Sequence, residues 1–367
     1  MARSEGDRCP GVLAVHQAAD GGLARVRVPG GRLTSEQVDV LRRAAADLGD
    51  GRLELTSRAN VQLRGLRPDG PRQLSDRLYA AGLLPSLQHE LVRNIVASPL
   101  SGLDQRSRYD VLPVATALDR ALCNRPALAD LPGRFLFTLD DGRGDLADLK
   151  ADVAVRALDD QSALLSLGTR AVGVQWDQVP ELMLAVAQAF LDVRDQEWRI
   201  AEVPDGAGRI LQRLGLQSTE DVPTKATQLT AGRYGSALVV TVPLGSLTPE
   251  QAAALSQAGD DIRITPWRSV VVPVSTTGLA EVGLAEVGLI TTPDSVWEGV
   301  TACAGRPGCA KALADVRADA ARMLPELRRD GRRVHWSGCE RRCGKPAGRF
   351  VDFLAVGNGY LMDGKRV

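Results

Sequence analysis

Two long segments of the chain share one pattern of apolar and polar positions. The first segment runs from Arg25 to Leu63 and the second from Val239 to Pro273. Each begins with the apolar and polar alternation that is typical of a half-buried strand. Thr34 or Thr248 follows at a position suited to cap a helix, and residues with helical apolar spacing come next. Each segment therefore predicts a strand followed by an amphipathic helix.

A second strand and a second helix complete each copy. The second alternating strand carries Arg58 in the first copy and Arg268 in the second. The closing helices end at Gly82 to Pro85 and at Gly288 to Thr291. The unit is thus a βαβα repeat used twice. Two such half-domains, each too small to bury its own sheet face, are expected to pack about a pseudo-twofold axis that places the two arginines at related positions.

The residues between the two copies predict a separate inserted domain. Region 87–232 contains two strand-like runs, at 134–139 and 163–167, and a long apolar helix at 179–193. The longest apolar run, Leu182 to Leu191, lies in this helix and has about half the length that a bilayer requires. We therefore expect a buried helix rather than a membrane span.

The residues after the second copy form a fourth region. Residues 294–367 contain a predicted helix at 310–328 and a predicted terminal strand at 350–356. By symmetry with the inserted domain, this region is expected to be a shortened version of it. The sequence therefore predicts an α+β protein with βαβα half-domains at 12–86 and 233–293, an inserted domain at 87–232 and a terminal domain at 294–367.

Composition and charge narrow the classes of function. The 367 residues are 44% hydrophobic, which is enough for several compact domains. Lys+Arg and Asp+Glu each number 45, so no net field draws the protein toward nucleic acid or an anionic membrane. The segment Met1 to Pro10 contains no apolar stretch that resembles a signal-peptide core. We expect a cytoplasmic protein that binds anions only at local sites.

Four of the six cysteines lie close together near the C-terminus. Cys303 and Cys309 form a C-x5-C pair, and Cys339 and Cys343 form a C-x3-C pair. Four thiolates are the ligands that a [4Fe-4S] cluster requires. A structural zinc site is the alternative, but zinc sites favour C-x2-C spacing. The cysteines thus predict metal ligands in a reducing compartment rather than disulfides.

The residues around the four cysteines suit a bulky cofactor. Glycine allows tight turns and lets amide N–H groups approach the sulfides of a cluster. The residues concerned are Gly305, Pro307, Gly308, Gly338 and Gly344. Cys9 and Cys123 stand alone, and no role is predicted for them.

Histidine and glycine patterns elsewhere give weaker signals. His16, His89 and His335 lack the spacing of a two-His-one-carboxylate iron site. Glu90 adjoins His89, but a structural role is favoured over iron binding for this histidine. The segment Gly142 to Ala147 superficially resembles a dinucleotide-binding fingerprint. Neighbouring aspartates would repel a pyrophosphate, so a turn between strands is predicted and no NADH domain is expected.

The cysteine spacing, flanked by Thr301-Ala302 and Gly338, resembles the signature of the sulfite and nitrite reductase family. The resemblance covers nearly the whole chain, because that family has duplicated half-domains, an inserted domain and a terminal cluster domain in the same order. It implies ferredoxin-like half-domains and nitrite/sulfite reductase-type α/β domains. It also implies a tetrapyrrole beside the [4Fe-4S] cluster, which is siroheme in the reductases.

Three short motifs of this family have counterparts in the sequence. Thr56-Ser57-Arg58 with Gln62 matches the first, Arg93-Asn94 the second, and Leu131 to Phe135 the third. The resemblance implies that basic residues in these motifs hold tetrapyrrole carboxylates, for which bidentate guanidinium contacts are well suited.

The predicted second strand extends this set of residues. Alternation along it places Gln62 and Arg64 on the same face as Arg58, and Asn60 is a further candidate on that face. The complete set of predicted tetrapyrrole-binding residues is Arg58, Gln62, Arg64, Arg93, Asn94, Arg134 and Arg268.

One position departs from the assimilatory reductases. Those enzymes place two lysines one residue apart after the third motif, and the equivalent positions here are Arg134 and Leu136. Leucine cannot donate a proton, so the reduction of sulfite or nitrite loses a participant. The segments Arg8 to Gly11 and Val92 to Gly102 resemble a different branch of the family, which acts in oxygen-dependent cobalamin biosynthesis.

That branch implies a different reaction. Precorrin-3A is its substrate; one atom of O2 becomes a hydroxyl group at C20 of the macrocycle, and the ring-A acetate closes to a lactone. The resemblance also implies a mononuclear non-haem iron, whose ligands the sequence does not assign. Electrons from NADH are expected to reach the cluster through a separate donor protein.

Two other functions stay open at this point. One is a siroheme-dependent assimilatory sulfite or nitrite reductase, and the other is a non-catalytic electron carrier. The duplicated half-domains and the motif arginines favour an enzyme over a carrier. No nucleic acid and no membrane partner is predicted.

Overall fold

The first repeat folds as an antiparallel sheet with two helices on one face, in a computed structural model that describes residues 9–220, 229–273, 279–327, 331–346 and 348–367. The side chain of Thr34 accepts a hydrogen bond from the Gln37 N–H, and the Gln37 side chain accepts one from the Thr34 N–H. This capping box begins the first helix, as its sequence predicts. The elements are β1 (His16–Ala18), β2 (Gly21–Val26), β3 (Arg32–Leu33), α1 (Ser35–Leu48), β4 (Leu53–Leu55), β5 (Val61–Leu66) and α2 (Gly70–Ala80).

The inserted region forms a mixed sheet in the order β11-β10-β9-β8-β7-β6. Its helices pack on the sheet through one large apolar core. The elements are β6 (Ile95–Ala97), α3 (Leu112–Cys123), β7 (Phe137–Asp140), β8 (Val153–Ala157), β9 (Ser162–Leu167), β10 (Arg170–Gln175), α4 (Val179–Val193), α5 (Gly206–Arg213) and β11 (Thr219–Glu220). The predicted helix at 179–193 agrees with α4, whereas the strand predicted from residue 134 begins only at Phe137. No described helix is long and apolar enough to cross a membrane.

The second repeat has the same order of elements as the first. Thr248 and Gln251 form the capping box of its first helix, as Thr34 and Gln37 do in the first repeat. The elements are β12 (Gly232–Tyr234), β13 (Ala237–Thr241), β14 (Ser246–Leu247), α6 (Pro249–Ala258), β15 (Ile262–Ile264), β16 (Ser269–Pro273) and α7 (Leu279–Glu286).

The two repeats complete each other's sheets. Strand β14 of the second repeat pairs with β4 of the first, and β3 of the first pairs with β15 of the second. Helices α1 and α6 pack together, and one apolar core contains residues of both repeats. This reciprocal exchange is the pseudo-twofold arrangement that the duplicated sequence predicts.

The prediction of one continuous second strand in each repeat was wrong. Strand β4 ends at Leu55 and β5 begins at Val61, so Arg58 lies in the turn between them. The Thr56 hydroxyl oxygen accepts hydrogen bonds from the N–H groups of residues 58 and 60. Such local side-chain bonds compete with the strand ladder. Arg58 therefore does not share a strand face with Gln62, and Arg268 lies in the equivalent turn between β15 and β16.

The terminal region is a sheet in the order β17-β18-β19-β20-β21, in which β17, β18 and β19 are parallel. The elements are β17 (Val300–Ala302), α8 (Val316–Met323), β18 (Arg333–Ser337), β19 (Phe350–Val356), β20 (Gly359–Met362) and β21 (Lys365–Arg366). The predicted terminal strand at 350–356 agrees with β19. The four sheets follow the order of the four predicted regions, and the boundaries of those regions stay a prediction.

The helix predicted at 310–328 was wrong in its extent. Helix α8 begins only at Val316, where Asp315 caps it by accepting a hydrogen bond from the Ala318 N–H. Before it, the Leu313 N–H donates to the Gly338 carbonyl, and the Ala314 carbonyl accepts from Arg306. These bonds hold 310–315 against the cysteine loops, and residue 328 lies outside the described residues.

Candidate active site

Two of the four clustered cysteines lie side by side because neighbouring parallel strands end at the same edge of a sheet. Cys303 directly follows β17, and Cys339 follows β18 after Gly338. The Cys303 N–H donates to the Trp336 carbonyl at 2.9 Å, which continues the strand pairing. The Gly338 N–H donates to the Cys303 Sγ at 3.1 Å. A loop amide thus approaches a cysteine sulfur at this position, and the predicted approach of amides to the sulfides of a cluster stays a prediction.

The other two cysteines complete the group. Cys309 and Cys343 lie in the loops that follow Cys303 and Cys339. Burial raises the pKa of the Cys343 thiol, the neighbouring Arg341 charge lowers it, and the proximity of the other three thiols raises it again. The other three cysteines therefore lie near enough to Cys343 to act on its charge.

The spacing of the sulfurs fits an iron-sulfur cube better than a single zinc ion. A tetrahedral zinc with Zn–S bonds of about 2.3 Å brings its sulfurs within about 4 Å of one another. All four cysteines are described, and no three of their sulfurs lie within 4.8 Å of one another. An added Cβ at Gly338 would lie 2.7 Å from the Ala312 Cβ, so the loop requires glycine there. Four thiolates that are too widely spaced for one tetrahedral zinc ion are the donor set that a [4Fe-4S] group would use.

The motif arginine Arg58 binds main-chain groups of the inserted region. Its Nη1 donates to the Gly133 carbonyl at 3.3 Å and its Nη2 to the Arg134 carbonyl at 2.9 Å. Arg134 itself is exposed, with its guanidinium 4.5 Å from the centre of the Trp198 ring. Arg58 thus fixes the third motif against the first repeat, and the structure brings Arg58 and Arg134 together.

The second motif has structural partners. Arg93 is buried and forms a bidentate ion pair with Asp119 at 2.7 and 2.8 Å, while its Nη1 donates to the Leu83 carbonyl. The Asn94 Nδ2 donates to the carbonyls of Leu91 and Gly133, and its Oδ1 accepts from the Asn60 amide. These contacts account for the two side chains without a ligand.

Arg64 and Arg268 lie against the cysteine loops. The Arg64 Nη2 donates to the Gly308 carbonyl at 2.6 Å, and the Arg268 Nη2 donates to the Gly344 carbonyl at 3.2 Å. Gly308 and Gly344 each adjoin a clustered cysteine. Two predicted tetrapyrrole-binding residues are therefore placed to hold the loops of the candidate cluster.

Two arginines that the sequence reasoning missed lie on β2 and just after it. The Arg25 Nε donates to the Gln62 Oε1 at 3.0 Å. Arg27 is 2% exposed and donates from Nη1 to the carbonyls of Pro10 and Arg25, but its Nε and Nη2 have no hydrogen-bond partner in the part of the chain that the structure describes. The sequence signal was the alternation Arg25-Val26-Arg27-Val28, which puts both charges on the face opposite the helices.

The arginines Arg25, Arg27 and Arg58 form a group of uncompensated positive charge. Burial and the neighbouring Arg25 lower the pKa of Arg27 to about 9, and burial and Arg199 lower the pKa of Arg58 to about 10. Among the described residues, none of the three has a carboxylate within 4.0 Å. A bound anion would offset this unfavourable burial, so we identify the group as a candidate anion site.

Leu136 lies in an apolar environment. It is 4% exposed and packs in a small cluster with Val96 and Leu146, against which Trp267 also lies. Trp267 precedes Arg268 in the turn of the second repeat. The position that carries a lysine in the assimilatory reductases is thus buried among apolar side chains.

The described residues offer no obvious site for a mononuclear iron. His89 is buried, and its ring nitrogens contact the Ser86 hydroxyl at 2.8 Å and the Arg125 carbonyl at 3.0 Å. The one group of described ligand types with donor atoms within 4.8 Å of one another consists of Asp140, Asp141 and Asp145. Arg143 is ion-paired to these aspartates and already supplies a cation. As predicted, this segment is a loop between β7 and β8.

Comparisons with known proteins agree with this architecture. Residues 16–81 match the nitrite/sulfite reductase ferredoxin-like half domain. The chain is 25% identical to precorrin-3B synthase of Sinorhizobium sp over 382 residues, which cover 96% of this chain and 81% of that protein. It is 24% identical to the ferredoxin–nitrite reductase of Synechococcus elongatus over 408 residues, covering 94% of this chain and 78% of that enzyme.

A solved structure shows the same fold. The NirA protein of Mycobacterium tuberculosis superposes with a TM-score of 0.74 over 93% of this chain and 73% of that one, at 22% sequence identity. This likeness extends across both repeats, the inserted region and the cysteine region. The half-domain match and the similarity over most of the chain thus relate the protein to nitrite and sulfite reductases and to a precorrin-3B synthase, and the NirA structure shows the same fold.

Proposed function

We propose that this chain is an oxygen-dependent monooxygenase of cobalamin biosynthesis that converts precorrin-3A to precorrin-3B. The observation that carries the proposal is the burial of Leu136 among apolar side chains, where an assimilatory reductase carries a proton-donating lysine. The similarity to a precorrin-3B synthase over 96% of the chain supports it. Both this reaction and the reduction of sulfite or nitrite would make the chain an oxidoreductase that resembles the sulfite and nitrite reductase family.

The candidate anion site suits a macrocycle that carries many carboxylates. Arg25, Arg27 and Arg58 lack carboxylate partners among the described residues. The Nε and Nη2 of Arg27 also lack any hydrogen-bond partner there, so these two nitrogens are available to an anionic side chain of the substrate. Gln62 accepts from Arg25 at the same face and donates from Nε2 to the Glu54 Oε2 at 3.4 Å. Arg134, Arg93, Asn94, Arg64 and Arg268 remain in the proposed binding region, with main-chain or ion-pair contacts that position its walls.

The apolar cluster suits molecular oxygen better than sulfite or nitrite. Leu136 and Trp267 lie among apolar side chains. An oxyanion would lose its hydration there without gaining a charged donor, whereas O2 is small and uncharged. These surroundings therefore favour chemistry on the macrocycle over reduction of an oxyanion.

The reaction requires two electrons and two protons for each O2. One oxygen atom becomes the hydroxyl group at C20, the other leaves as water, and the ring-A acetate closes to a lactone. When bound, the [4Fe-4S] group held by Cys303, Cys309, Cys339 and Cys343 would supply electrons one at a time from a donor protein reduced by NADH. The chain's own residues bind the macrocycle, orient it and keep anions from Leu136.

The proposal includes a mononuclear non-haem iron for O2 activation. The described residues present no histidine and carboxylate group that fits it, because His89 is engaged and the aspartate group is paired with Arg143. No step is therefore assigned to this iron. An iron content above the four expected for one cluster would support its presence.

The test of the proposed function is isotopic. The anaerobically prepared protein is supplied with precorrin-3A, an electron donor and ¹⁸O-labelled O2, and the product is examined by mass spectrometry. One labelled oxygen atom in a hydroxylactone is expected. Absence of the label would contradict the proposal.

The second candidate is a siroheme-dependent sulfite or nitrite reductase. It is favoured by the similarity to several ferredoxin-dependent nitrite and sulfite reductases at identities comparable to that of the precorrin-3B synthase. Siroheme in the purified protein, together with sulfite or nitrite turnover at an enzymatic rate, would establish this alternative.

A further inference from the structure

Arginines hold the cysteine loops by their main-chain carbonyl groups. Arg64 of the first repeat donates to Gly308 at 2.6 Å, and Arg268 of the second repeat donates to Gly344 at 3.2 Å. Arg317 at the start of α8 donates from Nε to the Cys303 carbonyl at 3.3 Å. Because carbonyl oxygens are turned toward these guanidinium groups, the loops are fixed from outside the space that the sulfurs face.

The glycines of these loops make the contacts possible. An added Cβ at Gly308 would lie 3.0 Å from both the Arg64 Nη2 and the Asp20 Oδ2. An added Cβ at Gly344 would lie 2.8 Å from the Arg268 Nη2. Gly245 has the same function at the other end of Arg268, since a Cβ there would lie 2.4 Å from the Arg268 Cδ. The positive φ of Gly245 and Gly344, together with the close Arg268 side chain, accounts for glycine at these two positions.

The charges of the arginines are balanced to different degrees. Arg64 forms a bidentate ion pair with Asp20 at 2.9 and 3.0 Å, and Arg317 pairs with Glu54 at 2.6 Å. Arg268 is partly buried and, within the described ranges, has no carboxylate within 4.0 Å. Burial lowers the pKa of Arg268, and the more distant Glu54 carboxylate opposes that effect. Arg268 is therefore the uncompensated cation of the group.

We propose that Arg268 is a positioning residue that raises the reduction potential of the cluster, an inference that rests on the proposed [4Fe-4S] site. Reduction adds a negative charge to an assembly that four thiolates already make anionic. A nearby cation without a carboxylate partner stabilises the reduced form more than the oxidised form. Arg64 makes a similar carbonyl contact, but Asp20 cancels most of its field. Arg268 of the second repeat thereby raises the reduction potential of the cluster, whereas Arg64 of the first repeat only holds a cysteine loop in place.

The experiment is a potentiometric titration of the substrate-free holoprotein, followed by the electron paramagnetic resonance signal of the reduced cluster. Arg268→Gln should raise the ratio of oxidised to reduced cluster at a fixed potential about threefold. Arg268→Lys, which keeps the charge, should restore most of the wild-type ratio. Arg64→Gln is the matched control, since it removes a similar contact to a loop carbonyl. Arg64 belongs to an ion pair with Asp20, so its replacement should change the ratio less.

A second variant, which should shift the reduction potential in the opposite direction, provides a test if Arg268→Gln fails to fold. Glu54→Gln removes a carboxylate that acts on Arg268 and pairs with Arg317, so the potential should rise. An unchanged ratio in Arg268→Gln with full iron and sulfide would overturn the inference. If that variant does not assemble a cluster, a fall or no change in the potential of Glu54→Gln would overturn it instead.

The same experiment separates the inference from the proposed function. Iron and sulfide in the wild-type protein are measured before any titration, and a chain without a [4Fe-4S] cluster would remove the basis of both. If the cluster is present and its reduction potential is the same in the wild type and in Arg268→Gln, only this inference is contradicted.

Discussion

Arg27 and Arg93 are both buried arginines, but their surroundings differ. Arg93 has a bidentate carboxylate partner in Asp119, whereas two nitrogens of Arg27 have no hydrogen-bond partner within the described ranges. Removing one partner of a buried ion pair destabilises the fold, because the other charge is left buried without a partner. A buried charge without a partner is instead typical of a site where a ligand supplies the missing partner. We therefore expect Arg27 to bind an anionic ligand and Arg93 to stabilise the fold.

Exchange of each arginine for glutamine should have opposite consequences. Arg27→Gln should weaken anaerobic binding of precorrin-3A about tenfold, because one charge-assisted contact is lost, and should leave the free energy of unfolding unchanged or higher. Arg93→Gln should lower the free energy of unfolding by about 3 kcal/mol, because Asp119 is left without its partner. Titration of the substrate and urea unfolding measure the two quantities. A stability loss in Arg27→Gln without a binding defect would contradict this assignment.

Asp145 is a buried carboxyl whose charge opposes folding. Burial raises its pKa well above the usual range, and the neighbouring Asp140 raises it further. No described residue donates a hydrogen bond to its Oδ2, although Arg143 lies 3.9 Å away. An acid with a raised pKa in the folded state loses stability as pH rises from about 4 through that pKa. This residue should therefore lower the stability of the protein at neutral pH.

Asp145→Asn should reduce that loss. The amide oxygen can still accept from the Ser98 hydroxyl, which donates to Asp145 at 2.6 Å. The free energy of unfolding at pH 7 should stay equal to or exceed that of the wild type, and its fall between pH 4 and pH 7 should become shallower. Urea unfolding across this range measures both. The control is Asp148→Asn at an exposed position of the same loop, which should change neither, and a steeper fall in Asp145→Asn would refute the argument.

At the scale of elements, the candidate cluster depends on parallel strands β17 and β18. Their carboxyl ends lie side by side and deliver Cys303 and Cys339 to one edge of the sheet. The two loops are then joined by the hydrogen bond from Leu313 to Gly338. Loss of either cysteine should therefore remove the cofactor rather than unfold the sheet.

Cys339→Ser should abolish the brown chromophore while the sheet persists. The wild type should contain about four iron and four sulfide per chain, since one [4Fe-4S] cube has that composition. Metal and sulfide analysis with far-ultraviolet circular dichroism measures these outcomes. Cys123→Ser is the matched control, because that cysteine lies at the end of α3, and it should keep the full cluster. Zinc in place of iron in the anaerobic wild type would contradict the cluster.

At the scale of the whole molecule, the surface beside Cys343 carries excess positive charge. Cys343 is exposed, and the exposed cations Arg306, Lys311, Arg341 and Lys345 lie in the same loops, against the exposed acid Glu340. The chain as a whole is neutral. A local basic surface of this kind attracts an acidic partner. The electron donor is therefore expected to be an acidic protein that docks at these loops.

Reversal of two of these charges should slow electron transfer. Lys311→Glu combined with Lys345→Glu should lower the second-order rate of cluster reduction by an acidic donor about tenfold at low salt, and less at high salt. Stopped-flow absorbance measures the rate. Arg72→Glu, at an exposed position on α2, is the control and should have little effect. An equal loss in both variants would exclude docking at these loops.

The sequence predicted the duplicated repeat, the long helix α4, the terminal strand β19 and the cysteine group because each depends on local order. Capping residues, apolar periodicity and cysteine spacing act over a few residues, so they are visible without tertiary structure. The same reasoning failed for the turn at Arg58, where the Thr56 hydroxyl competes with strand pairing. It also failed at 310–315, which bonds to a loop distant in sequence.

The roles of the arginines were decided only by tertiary structure. By itself the sequence determined the order of the repeats and predicted the four candidate ligands, because these follow from spacing along the chain. Elements that are distant in sequence determine that Arg93 pairs with Asp119 and that two nitrogens of Arg27 have no hydrogen-bond partner among the described residues. The charge of an arginine is the same in every case, and only its partners in three dimensions determine whether it binds a ligand, tunes a cluster or supports the fold.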